Sequence, residues 1–203
     1  MKNKFGVILI KPQLGENIGA SARILKNFEL KDLLITSPRD GWPNVKAKAT
    51  SVEAYDILKR TKVLNSTTAA IDKFDIIFSF TGRKRDVNKK HISMSEFLKL
   101  IKKIKNKKIG LMFGPEASGL SNYDLSFSNY LVQIPSSSKF KSLNLSHSVS
   151  IVCYEIFKLK KLKPLNQSSF TKKIGKKGKL TSVLKLLHFY LEKKNFFKPP
   201  EKK

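Results

Sequence analysis

Four residues have the types and settings for chemistry: Arg23, Glu116, Asn17 and Asn144, each in a polar turn that follows an apolar run. A guanidinium keeps its proton at ordinary pH, so Arg23 is suited to clamping a phosphate or stabilising developing negative charge, not to taking a proton. It closes the segment LGENIGASAR, residues 14–23, where Gly15 and Gly19 permit tight backbone geometry and Asn17 can cap a helix. The free N–H groups of such a helix start favour a phosphate, and Arg23, about one and a half turns further on, can reach back over it. Glu116 sits in FGPEASGL, residues 113–120, where Gly114 lets a ligand approach the backbone. A single carboxylate is not a paired acid/base arrangement; it can equally tie down its loop by accepting backbone hydrogen bonds. Asn144 closes the polar loop after Ile134-Pro135, and both Ser142 and Asn144 can cap the helix that follows. His147 has no Ser or Asp constellation around it and reads as a helix histidine. In SFTGRKRD, residues 79–86, Thr81 and Gly82 end an apolar run, and Arg83 and Arg85 can bind RNA phosphates.

The elements that must position these turns alternate. Phe5–Ile10, Leu33–Thr36, Asp75–Phe80, Lys108–Phe113 and Tyr130–Ile134 read as buried strands. Helical spacing follows in the segment after residue 14, where Ile18, Ala22 and Leu25 share a face, and in Lys46–Arg60, Ser93–Lys103 and Leu143–Lys160. Strand–helix alternation predicts an α/β domain, a mostly parallel sheet with helices on both faces, and ligands at the carboxyl ends of its strands. We expect this domain over residues 1–157, a basic flexible linker over 158–180 and a short helix with its tail over 181–203. Leu184, Leu187, His188 and Leu191 line one side of that last helix, which is too short to stand alone and is expected to dock on the main domain or on a second copy.

Charge narrows the partners. The 203 residues carry a formal net charge of +26, which attracts polyanions, although a Lys-rich composition alone can raise charge in this way. From Ile156 onward, 15 Lys face only Glu192 and Glu201. Only five of the 41 basic residues are Arg, and three of those, Arg23, Arg83 and Arg85, fall in the segments above. The single cysteine, Cys153, lies in an apolar helical run and reads as a core thiol, so neither a disulfide nor a Cys/His metal cluster is expected. The apolar start, FGVILI, is too short for a signal-peptide core or a membrane span, and the expected location is the cytoplasm. GENIGA lacks the G-x-G-x-x-G spacing of a dinucleotide-binding turn.

Together the segments resemble the SPOUT superfamily of knotted RNA methyltransferases, in its TrmH-like branch of ribose 2′-O-methyltransferases. The resemblance lies in three motifs in order: Asn17-Ile18-Gly19-Ala20-Ser21-Ala22-Arg23; Phe113-Gly114-Pro115-Glu116-Ala117-Ser118-Gly119-Leu120; and Ile134-Pro135 through Ser142-Leu143-Asn144-Leu145 to Tyr154-Glu155. PQLGENIGA, PRDGWPN (38–44) and HFYLEKKNFFKPPEK (188–202) are similar to the TrmJ subgroup, which methylates nucleotide 32 in the tRNA anticodon loop; that subgroup carries a longer extension after the Phe-Phe-x-Pro-Pro segment than the one here. The resemblance implies a C-terminal trefoil knot, which general rules of chain topology would not suggest. It also implies S-adenosylmethionine as cofactor, a homodimer with a shared active site, and tRNA as substrate at cytidine or uridine 32. By position, it places the cofactor at Phe80, Thr81, Gly82, Gly114, Ile134, Ser142, Leu143 and Asn144 and gives catalytic roles to Arg23, Asn17, Glu116 and Asn144; with Arg83 and Arg85 from the segment above, Arg23 is also expected to bind RNA. An rRNA methyltransferase of the same branch and a non-catalytic basic RNA-binding protein remain as alternative readings.

Overall fold

A computed structural model describes residues 3–82, 88–161 and 177–197. The chain divides into two units, Met1–Lys163 and Pro164–Lys203. In the first, β1 (Lys4–Ile10) leads into α1 (Gly15–Asn27), then β2 (Asp32–Thr36), α2 (Val45–Ser51), α3 (Tyr55–Arg60), β3 (Lys62–Leu64), α4 (Thr67–Ile71) and β4 (Ile76–Thr81). There follow β5 (Lys90–Ser93), α5 (Met94–Lys103), β6 (Lys108–Phe113), α6 (Asn122–Ser126), β7 (Tyr130–Gln133) and α7 (Leu145–Lys161). The seven strands form one sheet in the order β3-β2-β1-β6-β4-β7-β5, and every pairing is parallel.

Alternation along the strands divides the core between two faces. Val7 and Leu9 of β1, Phe78 and Phe80 of β4, and Leu111 and Phe113 of β6 face a larger cluster that α1, α5 and α7 close with Ile18, Ala22, Leu25, Phe97, Ile101, Val149 and Val152. Ile8 and Ile10, Ile77, Met112 and Leu131 face a smaller cluster, closed by Ala70 of α4 and Leu125 of α6. Helices on both faces explain why Phe5 through Ile10 are all buried instead of alternating with polar residues.

The five expected strands and the alternation are all present, with ends that shift by a residue or two. Two short edge strands, β3 and β5, were not expected; they carry Lys62, Lys90, His91 and Ser93, and each pairs on one side only. The helix expected over Lys46–Arg60 is two helices joined by a 3-10 turn at Val52–Ala54. Val52 has φ 50°, a left-handed conformation that a β-branched residue rarely adopts and that an α-helix cannot continue through. Helices α4 and α6 span only five residues each, too short to register as a periodic pattern. Both ends of the stretch expected as a linker, 158–180, are helical. Lys158–Lys161 complete α7, α8 (Lys177–Lys193) starts before residue 181, and residues 162–176 lie outside the described residues.

In the second unit, Leu184 and Leu187 of α8 are exposed. The His188 ring stacks on Phe197 at 5.1 Å and its Nδ1 lies 3.7 Å from Glu192. Among the described residues no helix is long and apolar enough to cross a membrane.

Cys153 is fully buried on α7, and loss of solvation pushes its thiol up to about 12. The thiolate is the reactive form. Iodoacetamide at pH 8 should therefore leave Cys153 unmodified in the folded protein and alkylate it once the protein is unfolded in guanidinium, as read by intact mass.

Candidate active site

The carboxyl ends of β4, β6 and β7 all open onto one cavity of about 360 Å³. Its wall is made of three pieces of chain: Phe80–Gly82 at the end of β4, Phe113–Leu120 after β6, and Ile134 with Lys141–Leu143, Leu145 and Ser148 around the start of α7. Phe80 and Phe113 lie stacked in this wall, with centroids 4.8 Å apart and planes at 11°. The 113–120 loop folds back on its own start. A Cβ on Gly114 would collide with the backbone of Gly119 and Leu120, and Gly119 has φ +66°, so both positions require glycine.

Glu116 ties this loop to α1. Its Oε2 accepts the Gln13 N–H at 2.8 Å, and its Oε1 accepts the Leu14 N–H at 3.2 Å and the Asn17 side-chain amide at 2.7 Å. Gln13 answers with its own side chain, whose Oε1 accepts the Ala117 N–H at 3.0 Å. Asn17 then accepts from Asn144, Nδ2 to Oδ1, at 3.1 Å. Asn144 Oδ1 caps α7, accepting the Ser146 N–H at 2.8 Å, the Ser146 hydroxyl at 2.8 Å and the His147 N–H at 3.3 Å. The two ends fix the direction of the chain of amides. The α7 N–H groups claim the Asn144 oxygen, so its NH₂ must donate to Asn17, and the Asn17 NH₂ must donate to Glu116.

This geometry changes three expectations. Asn17 does not cap α1, whose N-cap is Leu14 and has no side-chain cap bond; Asn17 is buried and committed to Glu116 and Asn144. The positive end of α1 meets the protein's own carboxylate, Glu116, where an external phosphate was expected. Ser142 lines the cavity and Asn144 alone of the two caps α7. His147 is exposed in the first turn of α7 and does not line the cavity.

Phe80, Thr81, Gly82, Gly114, Ile134, Ser142 and Leu143 all line the cavity, and Asn144 stands one residue beyond it in the amide chain. Glu116 belongs to both cavity and network. Arg23 does not join them. It is exposed on α1, does not line the cavity, and its side chain has no hydrogen bond or ion pair among the described residues. Arg83 and Arg85 lie outside the described residues. Gln13 and Lys141 were not singled out from sequence. The partners of Gln13 are 103 and 104 residues away, so no local pattern marks it.

Replacing Glu116 by Gln puts a donor where three donors already converge. The Gln13 or Leu14 N–H, or the Asn17 amide, must then lose its acceptor. Glu116→Gln should cost about 1.5–3 kcal/mol in urea unfolding, the range for hydrogen bonds to a charged group. Glu116→Asp, with a carboxylate on a shorter stem, should recover part of that loss.

Comparison with known proteins agrees with this architecture. The chain is 33% identical over 154 residues to a tRNA (cytidine-2′-O-)-methyltransferase, TrmJ, of Methanocaldococcus jannaschii, covering 74% of this chain and 66% of that protein. It is 29% identical over 163 residues to the tRNA (cytidine/uridine/adenosine-2′-O-)-methyltransferase TrmJ of Pseudomonas aeruginosa, covering 77% of this chain and 61% of that one. The chain thus spans a little less than two thirds of these relatives' length. The crystal structure of TrmJ from Z. mobilis superposes with a TM-score of 0.72 at 32% identity, over 96% of this chain and 82% of that one. The SpoU rRNA Methylase family model matches residues 4–154, which take in all three pieces of the cavity wall and the three motifs up to Tyr154, and the chain belongs to that family.

Proposed function

We propose that this protein is an S-adenosylmethionine-dependent methyltransferase that methylates a ribose 2′-hydroxyl of tRNA, at cytidine or uridine 32 of the anticodon loop. The observation that carries the reading is the joining of three distant motifs around one cavity by the Asn144–Asn17–Glu116 chain of hydrogen bonds. The named activities of the M. jannaschii and P. aeruginosa relatives support ribose methylation of tRNA. Position 32 rests on the likeness of residues 38–44 and 188–202 to the TrmJ subgroup. The family model's own description names rRNA, which keeps rRNA as the second reading. A tRNA substrate would be consistent with a cytoplasmic location.

The residues present fit the cofactor. A cavity of about 360 Å³ falls within the ~300–1,000 Å³ common for small-molecule sites. Ile134, Leu143 and Leu145 offer apolar wall for a purine, while Thr81 and Ser142 bring hydroxyls. Phe80, Thr81, Gly82, Gly114, Ile134, Ser142 and Leu143 would hold it, with Asn144 fixing the last loop. When bound, the cofactor supplies an electrophilic methyl group on a sulfonium, and position and electrostatics fall to the protein. Glu116, Asn17 and Asn144 keep the two loops in register. Arg23 clamps the phosphate beside the target ribose and stabilises charge developing on the 2′-oxygen.

Arg23 stands outside its own chain's cavity, which supports a homodimer in which it serves the cavity of the partner. Ile151 and Tyr154 on α7 are exposed apolar residues available for such a contact. The chain would also thread as a knot, in keeping with the placement of β6 between β1 and β4 and of β7 between β4 and β5.

Three experiments test these statements. Ribose-methylation mapping of RNA from cells lacking the protein should show one tRNA position lost; loss confined to rRNA would select the second reading. Arg23→Lys should lower turnover at least tenfold with cofactor affinity unchanged, because a single ammonium cannot make the bidentate contact. Arg23→Ala and Leu143→Trp should each be inactive alone, yet mixing and refolding them should restore roughly a quarter of wild-type activity if sites are shared across a two-fold dimer. No recovery on mixing would place Arg23 with its own cavity.

A further inference from the structure

Phe140 is the most exposed large hydrophobic residue in the loop that carries the cavity wall, at 76%. Burial of such a ring is worth about 1.5–3 kcal/mol, and scattered exposed apolar side chains are common. Its surroundings set this one apart. It sits one residue from Lys141 and two from Ser142, both of which line the cavity. Lys139 and Lys141 flank it, both exposed and neither with an ion-pair partner among the described residues. Its ring packs on no other ring among the described residues, whereas Phe80 and Phe113 of the same cavity stack on each other.

The backbone on either side of the ring is held. The Lys141 carbonyl lies so close to Gly82 that a Cβ there would stand 2.8 Å from it, so residue 82 is glycine where the loop rests on the end of β4. The Ser136 hydroxyl reaches the same carbonyl at 3.5 Å, and the Lys139 N–H donates to the Ser137 hydroxyl at 3.3 Å. An aromatic face at the rim of a cavity, between two cations with no ion-pair partner among the described residues, has the form of a platform for single-stranded nucleic acid. A base stacks on the ring while the cations meet the phosphates on either side.

We propose that Phe140, with Lys139 and Lys141, is the stacking site for one unpaired nucleobase of the RNA, at the target nucleotide or its immediate neighbour. The inference rests on the RNA methyltransferase reading and adds to it the group that recognises an unstacked loop. Stacking tolerates any base identity, so the site selects for an unpaired conformation and not for a sequence.

The test is a double-mutant cycle on binding, which needs no methyl transfer. Dissociation constants are measured by fluorescence anisotropy for the wild type, Phe140→Ala and Phe140→Trp. The probes are an anticodon stem–loop RNA and a set of the same RNA with one loop base at a time replaced by an abasic ribose. Phe140→Ala should weaken binding of the intact RNA roughly 5- to 100-fold, the range for loss of one base–aromatic stack. Phe140→Trp should retain it, and cofactor affinity should not change. On one abasic RNA, wild type and Phe140→Ala should bind alike. An equal loss on every abasic RNA, normal binding of the intact RNA by Phe140→Ala, or a change in self-association with no change per molecule in RNA affinity would overturn the proposal. If the wild type binds the RNA but never methylates it, the function proposed above fails while the cycle still decides the platform.

Discussion

One carboxylate holds together parts of the chain that the sequence keeps far apart. Glu116 accepts hydrogen bonds from Gln13, Leu14 and Asn17, and through Asn17 and Asn144 its hold extends to the first turn of α7. Hydrogen bonds to a charged acceptor are short and about twice as strong as neutral ones. Two of the three sides of the cavity are loops, one running from β6 to α6 and the other from β7 to α7, and this tie joins both of them to α1. The stacked pair of Phe80 and Phe113 adds a ring contact between β4 and β6 just beyond their last backbone pairing, Ser79 with Met112.

The same tie sets the electrostatics of the site. Glu116 meets the positive end of α1 and faces donors on every side, so the carboxylate nearest the cavity is committed internally. The cavity rim is left to cations such as Lys141 and to hydroxyls. Of the five arginines, the structure describes three and divides them. Arg39 pairs with Asp40 at 2.9 Å and Arg60 with Asp56 at 2.8 Å, both at the surface, where such pairs contribute little to stability. Arg23 has no such pairing among the described residues, which is the condition a substrate clamp requires.

What could be read from the sequence follows physical lines. Long apolar runs such as Phe5–Ile10 and Lys108–Phe113 announce strands buried on both faces, because their composition is forced by two apolar layers. Ile18, Ala22 and Leu25 announced the inner face of α1 for the same reason. The short edge strands β3 and β5 were illegible because one has only three residues and the other carries a single apolar residue among its four, and their pairing partners lie far off in sequence. The role of Asn17 was misread because an amide before an apolar helix is usually a cap, and its true partners, Glu116 and Asn144, are 99 and 127 residues away. The cavity-lining residues were found by motif likeness, not by pattern; nothing local to Ile134 or Leu143 says that they face a ligand. Arg23 is exposed on α1 and does not line the cavity, so helical spacing could place its stem but not its partner.

The parallel register of β1 with β6 has a consequence for how the chain is made. Val7 pairs with Leu111, and Gln13 waits for Glu116, 103 residues later. A ribosome adding about 5–20 residues per second exposes the first strand for roughly 5–20 s before its inner partner emerges. During that interval β1 can pair only with β2, on one side, while its other edge stays open to any extended segment nearby. Contacts this distant in sequence also slow closure of the core after release. The protein is therefore most exposed to aggregation and to chaperone capture during its own synthesis, at the strand that later becomes one of its most deeply buried.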